Sequence, residues 1–135
     1  MMAAVALRTV LLVLALYHLV IGVVSVLSFR ASTRLTSAFY GLSVRDDPQL
    51  AYAVRMLGLY ALAVGSLLVF AALEPTTHRD VIAVVAGLQL LRAASRIVSG
   101  RELESAFALP PRRNAINAAL LVAEAAILVL CFPAA

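Results

Sequence analysis

Four long apolar segments alternate with short polar stretches along this chain. The apolar segments cover about 3–29, 48–73, 81–99 and 112–132. Crossing the hydrocarbon core takes about 20 residues of α-helix. Lipid offers no partners to backbone N–H and C=O groups, so apolar segments of this length form helices. The pattern predicts an all-α integral membrane four-helix bundle that forms a single domain over residues 1–135.

Two of the polar stretches, 31–40 and 101–109, carry apolar residues at helical spacing. They are predicted to form short interfacial helices, each lying between an odd-numbered span and the next even-numbered one. The side chains expected to face lipid are Leu35, Phe39 and Tyr40 in the first and Leu103 and Phe107 in the second. The two segments also match at four of five positions, Leu-Thr-Ser-Ala-Phe against Leu-Glu-Ser-Ala-Phe, at an offset of 68 residues. This similarity is consistent with a duplicated helical hairpin in parallel orientation.

Local signals place several helix ends and one packing face. Asp47 followed by Pro48 is typical of an N-cap and a first helical residue. Gly100 is expected to cap the end of the third span. Gly58 and Gly65 lie seven residues apart in the second span, and small residues let helices approach closely in lipid.

Composition supports a membrane protein and sets its expected orientation. The chain is 64% hydrophobic, whereas soluble domains are usually about 45–50% apolar. All eleven basic residues are arginine, a bias consistent with a GC-rich bacterial genome, and no basic block interleaved with aromatics indicates nucleic-acid binding. The segments after the first and third spans hold six arginines: Arg30, Arg34, Arg45, Arg101, Arg112 and Arg113. The other side holds only Arg8 and Arg79, so the positive-inside rule predicts cytoplasmic interfacial segments, with both termini outside the bacterial inner membrane.

Several kinds of chemistry lack a motif in this sequence. Cys131 is the single cysteine, and two histidines do not make a metal site by themselves. There is no phosphate-binding loop, no paired-histidine motif and no nucleophile elbow. His18 has no evident second axial partner for haem. An enzyme activity is therefore not predicted.

The unusual feature of the chain is a polar stripe inside the third span. Gln89, Arg92, Arg96 and Ser99 fall at i, i+3, i+7 and i+10, on one face of a helix. An arginine at the centre of a membrane helix costs roughly 2.5–3.5 kcal/mol on insertion scales. The stripe therefore needs a protein partner, water or a bound anion.

The fourth span supplies a matching stripe. Asn117 and Glu124 lie seven residues apart, and the antiparallel arrangement brings Glu124 toward Arg92. We expect these two side chains to form a buried pair. Arg55 and Arg96 then have two open interpretations: they snorkel to the head groups or pair with Asp46 and Asp47.

The functional alternative is a ligand site inside the bundle. An arginine-lined pocket would suit an anionic lipid or a carboxylate, and an apolar slot with His18 and Tyr60 would admit a quinone head group. The candidate ligand-binding residues are Arg55, Arg92, Arg96, Glu124, His18, Gln89, Asn117 and Tyr60. No catalytic or metal-ligating residue is predicted.

Two stretches carry a family resemblance. Arg55-Met-Leu-Gly-Leu-Tyr-Ala-Leu-Ala-Val-Gly65 and Arg92-Ala-Ala-Ser-Arg96-Ile-Val-Ser-Gly100 resemble a family of uncharacterised bacterial four-helix membrane proteins, distantly similar to DoxX-like proteins. The family pattern has Gly before the second arginine of the latter stretch, where this chain has Ser95. The resemblance implies a four-span layout and, for some relatives, a place in quinone-linked oxidoreductases.

Two functions are therefore expected of the chain. The first is an accessory or structural subunit of a larger membrane complex, with a membrane-protein partner or a second copy. The alternative is binding of an anionic lipid or quinone-like ligand in the bundle, with a link to quinone redox chemistry. The small extramembrane portion favours the first function, and the interior polar cluster favours the second.

Overall fold

The computed structural model describes residues 2–133, with side chains from residue 4 onward. It forms the helices α1 (Met2–Leu27), α2 (Phe29–Tyr40), α3 (Pro48–Leu73), α4 (Arg79–Val98), α5 (Gly100–Phe107) and α6 (Pro111–Leu130). Four of them, α1, α3, α4 and α6, are long and apolar enough to cross a membrane. The predicted all-α four-helix membrane bundle with two short connecting helices is confirmed.

The bundle is built from two helix pairs. α1 packs most extensively against α3, and α4 packs most extensively against α6, while contacts between the two pairs are fewer. Each pair is one hairpin whose connection is a short helix, α2 in the first and α5 in the second. The matching sequence segments fall on these two connecting helices, as a duplicated hairpin requires. Duplication itself stays a prediction.

Glycines bring α1 and α3 into close contact. A Cβ atom added at Gly58 would lie 2.8 Å from the Ser25 Cβ and 3.0 Å from the carbonyl oxygen of Gly22. A Cβ added at Gly65 would lie 2.8 Å from the Leu19 Cγ. The predicted packing role of Gly58 and Gly65 is therefore confirmed, and Gly22 supplies the matching gap on α1.

Side-chain caps explain where two of the helices begin. The Ser28 hydroxyl accepts a hydrogen bond from the Ala31 N–H at 3.3 Å, so α2 begins directly after α1 ends. The Asp47 Oδ1 accepts from the Gln49 N–H at 2.7 Å, with Pro48 as the first residue of α3. The predicted Asp47 cap is confirmed.

The prediction that Gly100 caps the third span is wrong. Ser99 is the C-cap of α4, with a φ of −88°, and Gly100 already begins α5. The chain therefore passes from one right-handed helix to the next without a left-handed residue. The left-handed positions lie instead at the ends of the connecting helices, at Gly41 (φ 74°) and Ala108 (φ 52°).

Both connecting helices lie at the same end of the bundle, which we call the connector end. The Ser43 N–H donates to the Phe107 carbonyl at 2.8 Å, joining the chain after α2 to the end of α5. The Arg113 Nη2 donates to the Ala38 carbonyl at 2.6 Å, joining α6 to α2. The opposite end carries the turn at 74–78 between α3 and α4, and we call it the turn end.

Apolar and polar burial are separated along the bundle axis. The main apolar cluster lies toward the turn end and consists of Leu7, Leu11, Leu14, Ala15, Leu68, Ala71, Ala72, Ile82, Val85, Ala86 and Leu128. The buried polar residues are His18, Ser25, Ser32, Gln89, Asn114 and Asn117, and they continue from this cluster toward the connector end. The fold thus positions its polar side chains in the middle and connector half of the membrane layer.

Candidate functional site

A buried glutamine connects the two charged residues of the bundle interior. Gln89 on α4 is only 1% exposed. Its Nε2 donates to the Glu124 Oε2 on α6 at 2.5 Å, and its Oε1 accepts from the Arg92 Nη1 at 3.0 Å. Arg92 and Glu124 therefore share one partner, and the predicted pairing runs through the Gln89 amide without direct contact between the two charged groups.

The bridging amide has a simple physical basis. An uncharged carboxamide carries both donors and an acceptor, so one Gln89 side chain satisfies an arginine and a carboxylate at once. Unsatisfied polar atoms are costly in a lipid environment, and no buried side-chain nitrogen or oxygen among the described residues lacks a hydrogen-bond partner. Gln89, the most deeply buried residue of the three, thus has a partner for each of its polar atoms.

Arg96 is held by neutral partners nearer the connector end. Its Nη1 donates to the Asn114 Oδ1 at 3.2 Å, and the Asn114 Nδ2 donates back to the Arg96 carbonyl at 2.8 Å. Its guanidinium carbon lies 5.0 Å from the ring centroid of Tyr40, a cation–π distance. These neutral partners hold Arg96 in place and do not neutralise its positive charge.

Tyr40 faces the interior, and the prediction that it faces lipid is wrong. Its hydroxyl hydrogen-bonds to the hydroxyl of Tyr17 on α1, and its carbonyl accepts from the Asn117 Nδ2 at 3.3 Å. A phenol at the membrane boundary is stabilised by such a partner. Phe39, its neighbour, remains 59% exposed.

These side chains surround a cavity of about 220 Å³, which we call the central cavity. The residues that line it are Val13, Leu14, Tyr17, Phe39, Tyr40, Gln89, Arg92, Asn117, Leu120, Leu121 and Glu124. Three of them are largely exposed, Val13 at 61%, Phe39 at 59% and Leu120 at 58%. The cavity therefore opens sideways on the outer surface of the bundle, where lipid would lie, and its polar groups form the inner end.

The structure brings together part of the predicted set of ligand-binding residues. Four of the predicted residues line the central cavity: Gln89, Arg92, Asn117 and Glu124. Arg96 lies beside the cavity, because its guanidinium packs over the ring of Tyr40, which is one of the lining residues. Their convergence follows from the facing stripes of α4 and α6.

His18 is buried near the cavity without lining it. Its Nδ1 lies 2.8 Å from the Leu14 carbonyl, one turn earlier on α1. Its ring meets the ring of Tyr17 edge-on at 5.2 Å. His18 therefore supports Tyr17, which does line the cavity.

Arg55 and Tyr60 lie outside the site. Both are exposed on the outer side of α3, and Tyr60 is 71% exposed. The prediction that Arg55 and Tyr60 contribute to the interior site is therefore not supported by this geometry.

Sequence reasoning missed the aromatic part of the site. Tyr17, Phe39 and Tyr40 form one wall of the cavity. Tyr17 stands out as one of the few polar residues in the first span, but nothing in the sequence indicates that α2 turns Tyr40 toward it.

No family model matches this chain, and neither a curated protein nor a solved structure matches it significantly. Among the described residues, no group of three or more His, Cys, Asp or Glu side chains is placed to hold a metal ion.

Proposed function

We propose that the central cavity binds a membrane-soluble molecule with a small polar head and an apolar body, of the quinone type. The observation that carries the proposal is the sideways opening: apolar side chains at the rim and polar side chains at the inner end. A ligand that diffuses in the bilayer would enter from lipid, head first. Apolar pockets with a few convergent polar groups are the usual form of small-molecule sites.

The charges of the cavity favour a neutral head group. Arg92 and Glu124 both line it, and their formal charges cancel. Arg92 uses one N–H on Gln89 and retains further donors, and one proton of the Tyr17–Tyr40 hydroxyl pair is also left over. These donors suit carbonyl oxygens. A net anion would instead meet the Glu124 carboxylate.

The size of the cavity limits what enters it. Its volume is about 220 Å³. Pockets for drug-sized ligands are larger, about 300–1,000 Å³. The head group therefore occupies the cavity, while the apolar chain lies along the exposed side chains of Val13 and Leu120.

Filling the cavity mouth should weaken binding. We expect Leu120→Trp to weaken the binding of a decyl-substituted benzoquinone by at least about tenfold, which is about 1.4 kcal/mol, because the indole occupies the opening. Val122→Trp is the matched control, since Val122 is also exposed on α6 and does not line the cavity. Equilibrium dialysis of the purified protein in detergent micelles measures the dissociation constants. Equal affinities for the wild type and Leu120→Trp would contradict the proposal.

A second candidate function, an accessory subunit of a membrane complex, is favoured by the outer face of α3. Arg55, Tyr52 and Tyr60 are exposed there, on a helix long enough to span the membrane. Polar and aromatic side chains of this kind are enriched at protein interfaces. Purification in mild detergent distinguishes the two functions: a stoichiometric protein partner supports the subunit role, and a lone chain or homo-oligomer with a bound quinone or lipid supports the ligand role. The resemblance to DoxX-like proteins is compatible with both.

The arginine distribution supports a location in the bacterial inner membrane with the connector end in the cytoplasm. Six arginines lie at the connector end: Arg30 and Arg34 in α2, Arg45 between α2 and α3, Arg101 in α5, and Arg112 and Arg113 at the start of α6. The turn end has Arg8 and Arg79. Both termini would then lie outside.

Cysteine labelling of intact cells tests this orientation. In a Cys131→Ser background, we expect Arg34→Cys and Arg101→Cys to resist a membrane-impermeant maleimide, because both positions lie on the cytoplasmic side. Thr76→Cys, exposed in the turn at the opposite end, should be labelled. The reverse labelling pattern would show that the orientation is wrong.

A further inference from the structure

A second recess lies on the outside of the bundle, where α4 turns into α5. It has a volume of about 380 Å³ and is more open than the central cavity. The side chains lining this outer recess are Leu91, Arg92, Ser95, Arg96, Ser99 and Leu103. Arg92 is the one residue that also lines the central cavity.

The outer recess is lined by two arginines and no carboxylate, although the charge of Arg92 is balanced on its inner side by Glu124 through Gln89. Among the described hydrogen bonds, the side-chain acceptors of Arg92 and Arg96 are the amides of Gln89 and Asn114, which are neutral. Each guanidinium has five N–H donors and cannot lose its charge in a protein. Most of these donors remain available, and the charge is not cancelled by a carboxylate in direct contact.

Hydroxyl groups and apolar walls complete the recess. Ser95 lies between Arg92 and Arg96 in the sequence of α4, and Ser99, the C-cap of this helix, follows one turn later. Arg96 lies three residues before Ser99, so its Cα is about 4.5 Å deeper in the bilayer, and Arg92 is about 10 Å deeper. Arg96 therefore lies at the depth of the head-group boundary when its side chain reaches toward the connector end, whereas Arg92, which donates to Gln89 one turn earlier on α4, lies deeper. Leu91 and Leu103 offer apolar contact on either side.

We propose that the outer recess binds the phosphate group of an anion, either the phosphodiester of an anionic phospholipid or free phosphate. Arginine pairs phosphate oxygens through two parallel N–H groups, and serine hydroxyls supply further donors. Basic pockets at the cytoplasmic boundary are where lipid head groups bind. This recess is distinct from the proposed quinone site, because the two share only Arg92 and no carboxylate lines the recess.

A fluorescent reporter can be placed at the recess because the chain contains no tryptophan. Leu91 is 70% exposed, so Leu91→Trp costs little packing and provides a single indole at the edge of the recess. The protein is reconstituted in nanodiscs of phosphatidylcholine with phosphatidylglycerol, one of the two lipids carrying brominated chains. The ratio of the two quenching curves measures how strongly phosphatidylglycerol is preferred next to the recess.

Three variants then separate a built site from general surface charge. Ser95→Glu places a carboxylate in the recess at an exposed position, where folding is little affected. Ser105→Glu is the matched control, an exposed serine of α5 outside the recess. Arg96→Gln removes one of the two charges. Circular dichroism and the thermal midpoint show that each variant is folded.

The expected result is a preference for phosphatidylglycerol of about fivefold or more in the Leu91→Trp protein, since one arginine near a membrane contributes about that factor. Ser95→Glu and Arg96→Gln should remove the preference, and Ser105→Glu should retain it. If there is no lipid preference but inorganic phosphate raises the thermal midpoint relative to chloride at equal ionic strength, and Ser95→Glu removes that rise, the bound anion is free phosphate. The proposal is overturned if neither effect occurs, or if Ser95→Glu and Ser105→Glu lower the preference equally. The discriminating variants, Ser95→Glu and Ser105→Glu, leave every residue that lines the central cavity in place, so a failure of phosphate binding is distinguishable from a failure of quinone binding.

Discussion

Gly58→Val is expected to lower the free energy of unfolding by about 3 kcal/mol, the upper part of the usual range for overpacking. A Cβ at this position would lie 2.8 Å from the Ser25 Cβ and 3.0 Å from the Gly22 carbonyl oxygen. Neither atom is the end of a flexible side chain, so the two helices must move apart. Separation would cost van der Waals contacts along α1 and α3, the most extensive helix contact in the bundle.

Gly87→Val is the matched control for this substitution. Gly87 also lies inside a spanning helix, α4, but a Cβ there would meet nothing within 4 Å. The same side chain is therefore added without a clash. Titration of the purified protein from mild micelles into sodium dodecyl sulfate, followed by circular dichroism, measures both free energies of unfolding. Equal losses for the two variants would show that close α1–α3 packing does not limit stability.

Glu124→Ala is expected to cost about 3–5 kcal/mol of unfolding free energy, the range for breaking a buried charged pair by removing one partner. The Gln89 amide would lose its acceptor on α6, and the charge of Arg92 would lose its counter-charge inside the bundle. Glu124→Gln should be milder, because its amide oxygen still accepts from Gln89. Sodium dodecyl sulfate titration again provides the measurement, with Glu104→Ala, an exposed carboxylate of α5, as the control.

Two further variants test whether the shared amide matters. Gln89→Leu should be nearly as costly as Glu124→Ala, since it removes the partner of both charges together. The double variant Arg92→Leu with Glu124→Leu should recover much of the stability, because no buried charge remains. If the double variant is less stable than Glu124→Ala alone, the network has a role that its charges do not explain. If it is stable but no longer binds the benzoquinone, the network serves the ligand.

The sequence predicts this fold well because the membrane restricts the choices. Apolar length decides which segments span the bilayer, and Asp47 with Pro48 marks the start of α3 through local hydrogen bonds. Gly58 and Gly65 indicate a close helix contact, although they do not identify which helix packs against them. In each case a short stretch of chain contains the whole physical cause.

The candidate site is predicted less completely because it depends on how helices are rotated and shifted against each other. Helical periodicity places Gln89 with Arg92 and Asn117 with Glu124, and α4 and α6 bring these stripes together. Each residue turns a helix by about 100° and advances it by about 1.5 Å. A small change in the rotation or offset of α4 against α6 therefore decides whether Arg92 contacts Glu124 directly or through Gln89.

By itself, then, the sequence determined four spanning helices, two connecting helices at one end, and polar stripes on two of the spans. Only the tertiary structure decided which side chains meet. It turned Tyr40 inward to Tyr17, left Arg55 on the outer face of α3, and placed a neutral amide between the two interior charges. The physical reason is that length, hydropathy and capping act within a helix, whereas the position of a side chain between helices depends on packing contacts from distant parts of the chain.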